Sequence, residues 1–153
     1  MPERSGYVAQ IREHIGQELL LLPAVTVLIR DEAGRLLVVK PADRVGWGTV
    51  GGAVEPGEDP RQAALREALE ETGLTIQITR LLDVVGGREF ETIYANGDRC
   101  AYVAAVFQAQ VAGGTLSPDG DEVVDAQWVH DGELSDLELT GFTRSLLSRL
   151  NLV

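Results

Sequence analysis

Hydrophobic and polar residues alternate along this chain in blocks that predict a sheet flanked by helices. Near the start, four apolar residues recur at helical spacing and predict a short amphipathic helix before residue 18: Tyr7, Val8, Ile11 and Ile15. Two β-branched runs, 24–30 and 35–40, are separated by a turn containing Gly34 and predict a hairpin. A loop over 41–52 then leads into a short strand.

The remaining apolar segments predict four more strands and a closing helix. Two long strands are expected over 74–87 and 100–111, with a short strand at 91–94 and a turn at Asn96-Gly97 between them. A further strand is expected over 123–129, and a helix is indicated by an apolar stripe: Phe142, Leu146, Leu147 and Leu150. The resulting order, β-β-α-β-β-β-β-α, implies a mixed sheet between helices, which is an α/β (α+β) architecture.

The helix that interrupts the strands has clear signals at both ends. Asp59 is a suitable N-cap, Pro60 suits the first helical position, and Gln62 completes a capping box. Gly73 suits the C-terminal end of the helix. These signals predict a helix over 60–72.

This helix carries three carboxylates on one side: Glu67, Glu70 and Glu71. At about 100° per residue, Glu71 and Glu70 lie about 40° and about 60° to either side of Glu67. Leu65 and Leu69 fall on the opposite side, so we expect that side to pack against the sheet. Ala63 and Ala64 lie one turn before the carboxylates and are expected to leave space above them.

A solvated surface explains many glutamate-rich helices, but it explains this one poorly. Solvated faces usually interleave lysine to gain i,i+4 ion pairs, whereas Glu67 and Glu71 form a like-charge pair that costs about 0.2–0.5 kcal/mol. Clustered oxygen ligands without histidine or cysteine suit a hard cation, Mg²⁺ or Mn²⁺. Gly51 and Gly52 precede the helix and allow the backbone to approach an ion or a phosphate closely. We therefore predict a divalent-metal site here.

The composition of the chain limits its partners and its location. With 153 residues, of which 44% are hydrophobic, the chain is expected to form one domain, 1–153. Its formal charge of -11 opposes binding to polymeric nucleic acid or anionic lipid, but a divalent cation can lie between the protein and a polyphosphate. Cys100 is the only cysteine, so a disulfide framework is excluded and a cytoplasmic location is expected. The longest apolar run, 19–29, is too short to span a membrane.

The residues around the acidic helix resemble the signature of the Nudix (MutT-like) hydrolases, G-x5-E-x7-R-E-U-x-E-E-x-G-U, where U is bulky and apolar. The match covers 52–74, and these positions fall in register: Gly52, Glu58, Arg66, Glu67, Glu70, Glu71, Gly73 and Leu74. Ala68 is small where the signature has a bulky residue, and Val50 stands where proline is common. The resemblance implies a single full-length Nudix domain, an α/β/α sandwich with a mixed sheet and the catalytic loop-helix on one face.

The resemblance also implies an activity: hydrolysis of the diphosphate in a nucleoside diphosphate linked to another group, with Mg²⁺ or Mn²⁺ as cofactor. By position, three carboxylates resemble the main metal ligands: Glu67, Glu70 and Glu71. Gly52 would add its backbone carbonyl, Glu58 would be an outer or second-metal ligand, and Arg66 would brace the loop and the helix. Metal-activated water would attack phosphorus, so no nucleophilic side chain is required. The N-terminal helix has two interpretations, a homodimer contact or a cover for the sheet.

The general base and the substrate-binding residues are predicted by weaker signals. Glu122 is the candidate base outside the signature, and a solvated turn acid explains it equally well. Five residues are candidates for stacking on the substrate or holding its phosphates: Trp47, Arg44, Arg88, Tyr94 and Tyr102. Phe107 and Trp128 lie in apolar strands and are expected in the core, and Cys100 is expected to be an inert strand residue.

Two other functions are compatible with this kind of domain. A catalytically silent nucleotide-sensing domain would have lost at least one acid of the signature, and this chain keeps them all. An isomerase of isoprenoid diphosphates would need a catalytic cysteine in the pocket, and Cys100 is distant from the signature in sequence. The residues do not select among deoxynucleoside triphosphates, ADP-ribose, sugar nucleotides and dinucleoside polyphosphates. The predicted substrate is therefore a small-molecule nucleotide that carries a diphosphate.

Overall fold

The apolar blocks assemble into a seven-stranded mixed sheet, which a computed structural model describes over residues 6–153. The helices and strands, in chain order, are α1 (Gly6–Ile15), β1 (Leu20–Arg30), β2 (Leu36–Pro41), β3 (Val50–Ala53), α2 (Pro60–Thr72), β4 (Leu74–Val85), β5 (Glu91–Ile93), β6 (Arg99–Gly114), β7 (Val123–Val129) and α3 (Gly141–Arg149). Two 3₁₀ helices, Arg88–Phe90 and Asp131–Asp136, lie in the connections. Within the described residues, no helix combines the length and apolarity that crossing a membrane requires.

The mixed character of the sheet comes from one parallel pair at its centre. The strand order is β4-β6-β1-β2-β7, while β3 pairs with β1 and β5 pairs with β6. β1 and β6 run parallel from Leu20 opposite Cys100 to Arg30 opposite Gln110, and the other pairs are antiparallel. The run 24–29 in β1 is buried throughout, as expected for a strand covered on both faces. The prediction of a mixed sheet is confirmed.

Each face of the sheet carries its own hydrophobic core. On one face, α1 contributes Val8, and α3 contributes Phe142 and two buried leucines. The Phe142 ring meets Phe90 and Tyr102 edge-on, with centroids 5.2 and 5.9 Å away. On the other face, α2 contributes only alanines to the core: Ala63, Ala64 and Ala68. The α/β/α layering implied by the family resemblance is therefore present.

The first helix has the predicted position, and its predicted apolar face is correct in part. Of the predicted residues, Val8 is buried and Tyr7 is 43% exposed, while Arg12, which was not predicted, is buried. The Arg12 guanidinium donates to the carbonyl of Glu18 and, through Nη2, to the carbonyl of Arg99 at 2.8 Å. Its Nε lies 3.7 Å from the carboxylate of Asp98, and both side chains are fully buried. The arginine was missed because a charged residue in a helical stripe normally indicates the solvent side.

This buried ion pair joins α1 to the hairpin of β5 and β6, so breaking it should destabilise the whole fold. We expect Arg12→Met to lower the free energy of unfolding by about 3–5 kcal/mol, because Asp98 keeps a buried charge without its cation. Urea denaturation of both chains measures the difference. Glu13→Ala is the control, since Glu13 is exposed on the same turn. A loss no larger in Arg12→Met than in this control would contradict the importance of the pair.

Candidate active site

The site begins with two glycines in β3 that touch their neighbours too closely for a side chain. β3 lies antiparallel to β1, with Gly51 opposite Thr26 and Gly52 opposite Val25. A Cβ on Gly51 would overlap the carbonyl oxygen of Val25, and a Cβ on Gly52 would overlap the carboxylate of Glu67. Both glycines are therefore required by the close approach of a neighbouring strand and of the Glu67 side chain, whereas their predicted contact with an ion or a phosphate stays a prediction.

The acidic helix α2 has the predicted ends. Asp59 caps its N-terminus by accepting from the backbone N–H of Arg61 at 2.7 Å, and Gln62 completes the capping box. Pro60 opens the helix, and Gly73 ends it in the left-handed conformation with φ of 74°. These local interactions fix where the helix starts and stops, and they place its axis beside β3.

The orientation of α2 about its axis is the reverse of the prediction. Leu65 and Leu69 were expected to pack against the sheet, but they are 44% and 57% exposed. Glu67 and Glu71 instead face the sheet and are each 1% exposed. The alanines of α2 lie on this buried side, so the helix approaches the strands closely enough for Glu67 to reach Gly52. A rule based on hydrophobicity fails here because the interior side of the helix is polar.

Arg66 bridges the loop before α2 and the carboxylates on the helix. Its Nε and Nη2 donate to the two oxygens of Glu58 at 2.7 and 2.9 Å, and Nη2 also reaches the carbonyl of Ala53 at 3.2 Å. Its Nη1 donates to Glu67 at 2.9 Å and to Glu70 at 3.2 Å. These contacts match the bracing role that the family resemblance implies for Arg66.

Glu58 differs from the other acids because both its oxygens have hydrogen-bond donors. Besides the fork from Arg66, Oε1 accepts from the backbone N–H of Glu55 at 3.1 Å. The hydrogen bond from Arg66 holds the pKa of the Glu58 carboxyl below its ordinary value. Glu58 thus fixes the loop in this structure, and a role as outer ligand would require it to share oxygens already engaged by Arg66.

Glu67 and Glu71 are buried with too few donors for their charge. The Oε2 atom of each is buried without a hydrogen-bond partner, and the best contact of Glu71 is a 3.4 Å hydrogen bond from the N–H of Gly51. Burial raises the pKa of Glu67 to about 7 and that of Glu71 to about 8. Without a cation, burial thus favours the protonated forms.

Glu122 lies close enough to the acidic helix to interact with it electrostatically. Its Oε2 atom is also buried without a hydrogen-bond partner. Burial raises the pKa of Glu122, and the negative charges of Asp119, Glu70 and Asp121 raise it further. The structure therefore brings the predicted base from outside the signature to the same acidic face, although 50 residues separate Glu122 from Thr72 in sequence.

Three carboxylate oxygens without donors are what a hard cation would satisfy: Glu67 Oε2, Glu71 Oε2 and Glu122 Oε2. Glu70 adds a carboxylate that is half-exposed. Within residues 6–153, no three acidic, histidine or cysteine side chains lie close enough together, as they stand, to hold a metal ion. The carboxylate oxygens are instead spread along one face, which suits Mg²⁺ or Mn²⁺ that also takes water and phosphate oxygens as ligands. The residues present fit such a cation.

A cavity of about 560 Å³ lies on the side of the sheet covered by α3. Arg44 and Tyr94 both line it, and the Arg44 guanidinium lies 5.3 Å from the centre of the Tyr94 ring. Two further lining residues, Thr140 and Phe142, come from the start of α3. Sequence reasoning missed them as cavity residues because the cap and the apolar stripe of a helix give no signal for a neighbouring opening.

The other predicted substrate-binding residues are placed differently. Trp47 is half-buried and lines a second cavity of about 460 Å³, where the ammonium of Lys40 lies 5.8 Å from its ring centre. Arg88 is exposed on a 3₁₀ helix and does not line either cavity. Tyr102 was predicted wrongly as a stacking surface, because it is 1% exposed and its hydroxyl is paired with that of Tyr94.

The core residues predicted from the apolar strands are largely confirmed. Phe107 is buried, with the Arg61 guanidinium 5.1 Å from its ring centre. Trp128 is partly buried and packs against the core on the α2 face. Cys100 is buried and accepts a hydrogen bond from Arg12 at 3.3 Å. It contributes to the polar interior under α1 and not to the acidic face.

Comparison with known proteins gives a consistent result. A family model described as NUDIX domain matches residues 20–150. A putative 8-oxo-dGTP diphosphatase from Bacillus subtilis (strain 168) is 32% identical over 108 residues, which cover 71% of this chain and 66% of the relative. A MutT-like protein from Streptomyces ambofaciens is 29% identical over 145 residues, which cover 95% of this chain and 86% of the relative.

Some relatives are much longer than this chain. An NAD-capped RNA hydrolase NudC from Vibrio atlanticus (strain LGP32) is 32% identical over 125 residues, which cover 79% of this chain but only 42% of the relative. Among solved structures, a MutT NUDIX hydrolase from Burkholderia pseudomallei aligns with a TM-score of 0.70 and 28% identity, covering 85% of this chain and 98% of that structure. The sheet and its helices therefore have the architecture of solved Nudix hydrolases.

The contact between Gly52 and Glu67 predicts that β3 accepts no side chain there. In Gly52→Ala, the new methyl group must displace the Glu67 carboxylate or shift β3, so we expect the free energy of unfolding to fall by about 1–3 kcal/mol. Gly113→Ala is the matched control, since a Cβ on Gly113 meets nothing within 4 Å. Urea denaturation compares the two variants with the parent. Equal stability of both variants would show that the close approach is absent.

The buried carboxyls predict that stability without cations falls as pH rises. Because the pKa values of Glu67 and Glu71 are about 7 and about 8, above the ordinary 4.5, the folded chain binds protons more tightly than the unfolded chain. The stability from these groups is complete below about pH 4.5 and is lost as pH rises through about 7 and 8.

Thermal unfolding in a chelator, measured from about pH 5 to about pH 9, tests this expectation. We expect Tm to fall across that range in the parent chain and to fall less in Glu71→Gln, which has no proton to lose at that position. Glu32→Gln is the control, because Glu32 is exposed in the turn between β1 and β2. Profiles of the same shape in Glu71→Gln and the parent would be inconsistent with a raised pKa at Glu71.

Proposed function

This chain belongs to the NUDIX domain family, and we propose that it hydrolyses a diphosphate bond in a small nucleotide derivative with the help of Mg²⁺ or Mn²⁺. Nudix hydrolases act on phosphorus-containing anhydrides, so the reaction class follows from the family. The observation that carries the metal-dependent mechanism is the set of three buried carboxylate oxygens without donors, on Glu67, Glu71 and Glu122. Their charges are unfavourable in this position unless a cation or protons compensate them.

In the proposed mechanism, each residue of the acidic face has a limited task. The carboxylates of Glu67, Glu70 and Glu71 would hold the divalent metal, together with the backbone carbonyl of Gly52. A bound divalent cation supplies neutralisation of the diphosphate and acidifies water. Arg66 keeps Glu67 and Glu70 in place by donating one hydrogen bond to each.

The remaining step is proton transfer from the attacking water. Glu122 accepts this proton as general base, and burial favours that role because it raises the pKa of the carboxyl above its ordinary value and so makes the carboxylate a stronger base. The water oxygen then forms a bond to phosphorus as the bond from phosphorus to the bridging oxygen breaks. The bridging oxygen leaves with the second phosphate, so no residue of the chain is modified.

The proposed substrate is a nucleotide of low molecular weight. The names of two relatives, a putative 8-oxo-dGTP diphosphatase and an NAD-capped RNA hydrolase, share a nucleoside joined to a diphosphate. The cavity next to Arg44 and Tyr94 offers the Arg44 guanidinium to a substrate group, whereas the Tyr94 ring is only 2% exposed and lies against that guanidinium. The net charge of -11 is unfavourable to a long RNA backbone, and the chain spans less than half of the RNA hydrolase.

An isomerase of diphosphate esters has less support. Its catalytic cysteine would have to reach the substrate, but Cys100 is buried beneath α1 and hydrogen-bonded by Arg12. Cys100 lines neither the cavity beside Tyr94 nor the cavity beside Trp47. Hydrolysis needs no such nucleophile, so it remains the function that the site supports best.

Assay of a nucleotide panel with Mg²⁺, Mn²⁺ or a chelator tests the proposal. We expect release of a nucleoside monophosphate or of inorganic pyrophosphate, and complete loss of the activity in the chelator. Glu71→Gln should lower kcat at least about 100-fold, the upper end of the loss seen when support of a metal ligand is disturbed. The same variant should be no less stable than the parent, since it removes an unsatisfied buried charge.

Glu32→Gln provides the matched control, because it removes an exposed carboxylate far from α2 in sequence. Parent activity that persists in the chelator would rule out the metal-dependent mechanism. Parent-like kcat in a folded Glu71→Gln chain would remove Glu71 from the ligand set. Unfolding of that variant would contradict the conclusion that its buried charge is unfavourable without a cation.

A further inference from the structure

The loop that carries Glu122 is organised by a single carboxylate, that of Asp119. Its Oδ1 atom accepts three backbone hydrogen bonds, from the N–H groups of Asp121 at 3.0 Å, Glu122 at 3.1 Å and Val123 at 2.9 Å. Hydrogen bonds to an ionised acceptor are stronger than those between neutral groups. One side chain thus holds the backbone N–H groups of three consecutive residues around Glu122.

The same residue connects this loop to the end of α2. The backbone N–H of Asp119 donates to the carbonyl of Glu71 at 3.3 Å, and the N–H of Ser117 donates to the carbonyl of Thr72 at 2.8 Å. These carbonyls lie in the last turn of the helix, where intrahelical donors are absent. Asp119 therefore makes two kinds of hydrogen bond. Its backbone N–H donates to the Glu71 carbonyl, and its side chain accepts from the backbone N–H of Glu122.

The opposite side of Glu122 is held by the loop that lines the cavity beside Tyr94. The N–H of Ala42 donates to the carbonyl of Glu122 at 2.9 Å, and Ala42 lines the same cavity as Arg44. The backbone of Glu122 is therefore held on both sides. Its side-chain Oε2 atom is buried although it has no hydrogen-bond donor. Coulomb attraction does not explain this position, because Asp119 repels Glu122.

We propose that Asp119 is a positioning residue. Its three hydrogen bonds fix the backbone around Glu122, and the Glu122 carboxylate is thereby held against the acidic face of α2, near Glu71. This inference rests on the proposed function, since it concerns how Glu122 is placed for hydrolysis. Asp119 itself is exposed and is not required to touch the substrate. Removing its acceptor should release the backbone around Glu122 from Asp119, and a displacement of about 1 Å in a reacting group can cost about 100-fold in rate.

Three variants separate hydrogen bonding from charge. Asp119→Ala removes the acceptor and the charge, whereas Asp119→Asn keeps an oxygen in the same place and removes only the charge. Asp121→Ala is the matched control, because it removes a carboxylate from the same loop while leaving the Asp119 acceptor intact. A positioning role predicts that only Asp119→Ala is strongly affected.

The structural part of the proposal is tested without any substrate. Amide hydrogen exchange of the metal-free chain should show faster exchange at Glu122 and Val123 in Asp119→Ala, about 10-fold or more, with near-parental rates in Asp119→Asn and Asp121→Ala. Exchange in the strand interior of β7 should be unchanged in all three variants. Unchanged exchange at Glu122 and Val123 in Asp119→Ala would overturn the positioning role.

The functional part is a double-mutant cycle with Glu122→Gln. In a Mg²⁺ assay on the best substrate of the panel, we expect Asp119→Ala to lower kcat about 10- to 100-fold with KM within about twofold, and Asp119→Asn to recover most of the loss. In the Glu122→Gln background, Asp119→Ala should have no further effect. A full multiplicative loss in the double variant, or equal losses in Asp119→Ala and Asp121→Ala, would refute action through Glu122.

The two levels of the proposal fail in different ways. If the unaltered chain hydrolyses no nucleotide of the panel with either cation, the proposed function is rejected, together with the role of Glu122 in it. If the chain is active but Glu122→Gln retains parental kcat, the general-base role of Glu122 is rejected together with the inference about Asp119, whereas metal-dependent hydrolysis itself stands. The exchange rates decide in both cases whether Asp119 holds the loop.

Discussion

The contact between the buried carboxylates of α2 and the glycines of β3 is the constraint on which this site depends. Glu67 and Glu71 take the interior positions of the helix, and Gly52 leaves room for the first of them. A larger residue in β3 would push the helix outward and open the acidic face to water. Because unsatisfied buried charges are costly, the arrangement is stable only with a cation, with protons, or with the partial compensation that Arg66 provides.

This constraint also explains why α2 has a weak apolar face. Its interior contacts come from alanines, which let the helix lie close to the sheet, while its leucines are directed outward. Most of the cohesion of the molecule must therefore come from elsewhere: the buried run of β1, the aromatic contacts of Phe142, and the Arg12 pair under α1. Because these elements stabilise the fold, the molecule can tolerate the buried carboxylates of α2, which lower its stability.

Local signals in the sequence predicted where the helices and strands lie. The orientation of α2 and the burial of Tyr102 depend on contacts between distant residues, and the sequence did not predict them. The caps at Asp59 and Gly73 act within a few residues, so the limits of α2 were correct. The signature brought Arg66 and its acids together because they share one loop and one helix. Which side of α2 faces the sheet depends on Gly52 across a strand pair, and the burial of Tyr102 depends on α3. Neither contact produces a hydrophobic pattern in the sequence from which it could be predicted.

The carboxylates of the site differ in how firmly their side chains are held. Arg66 engages one oxygen each of Glu67 and Glu70, and it engages both oxygens of Glu58. Glu67 and Glu71 are held rigid by burial, whereas the half-exposed Glu70 is held only at its tip. In the proposed mechanism the buried pair would set where a cation binds, and the half-exposed third carboxylate would be the one able to adjust its position. Because Mg²⁺ keeps several such ligands, a closed cage of protein carboxylates would suit it less well than this open face.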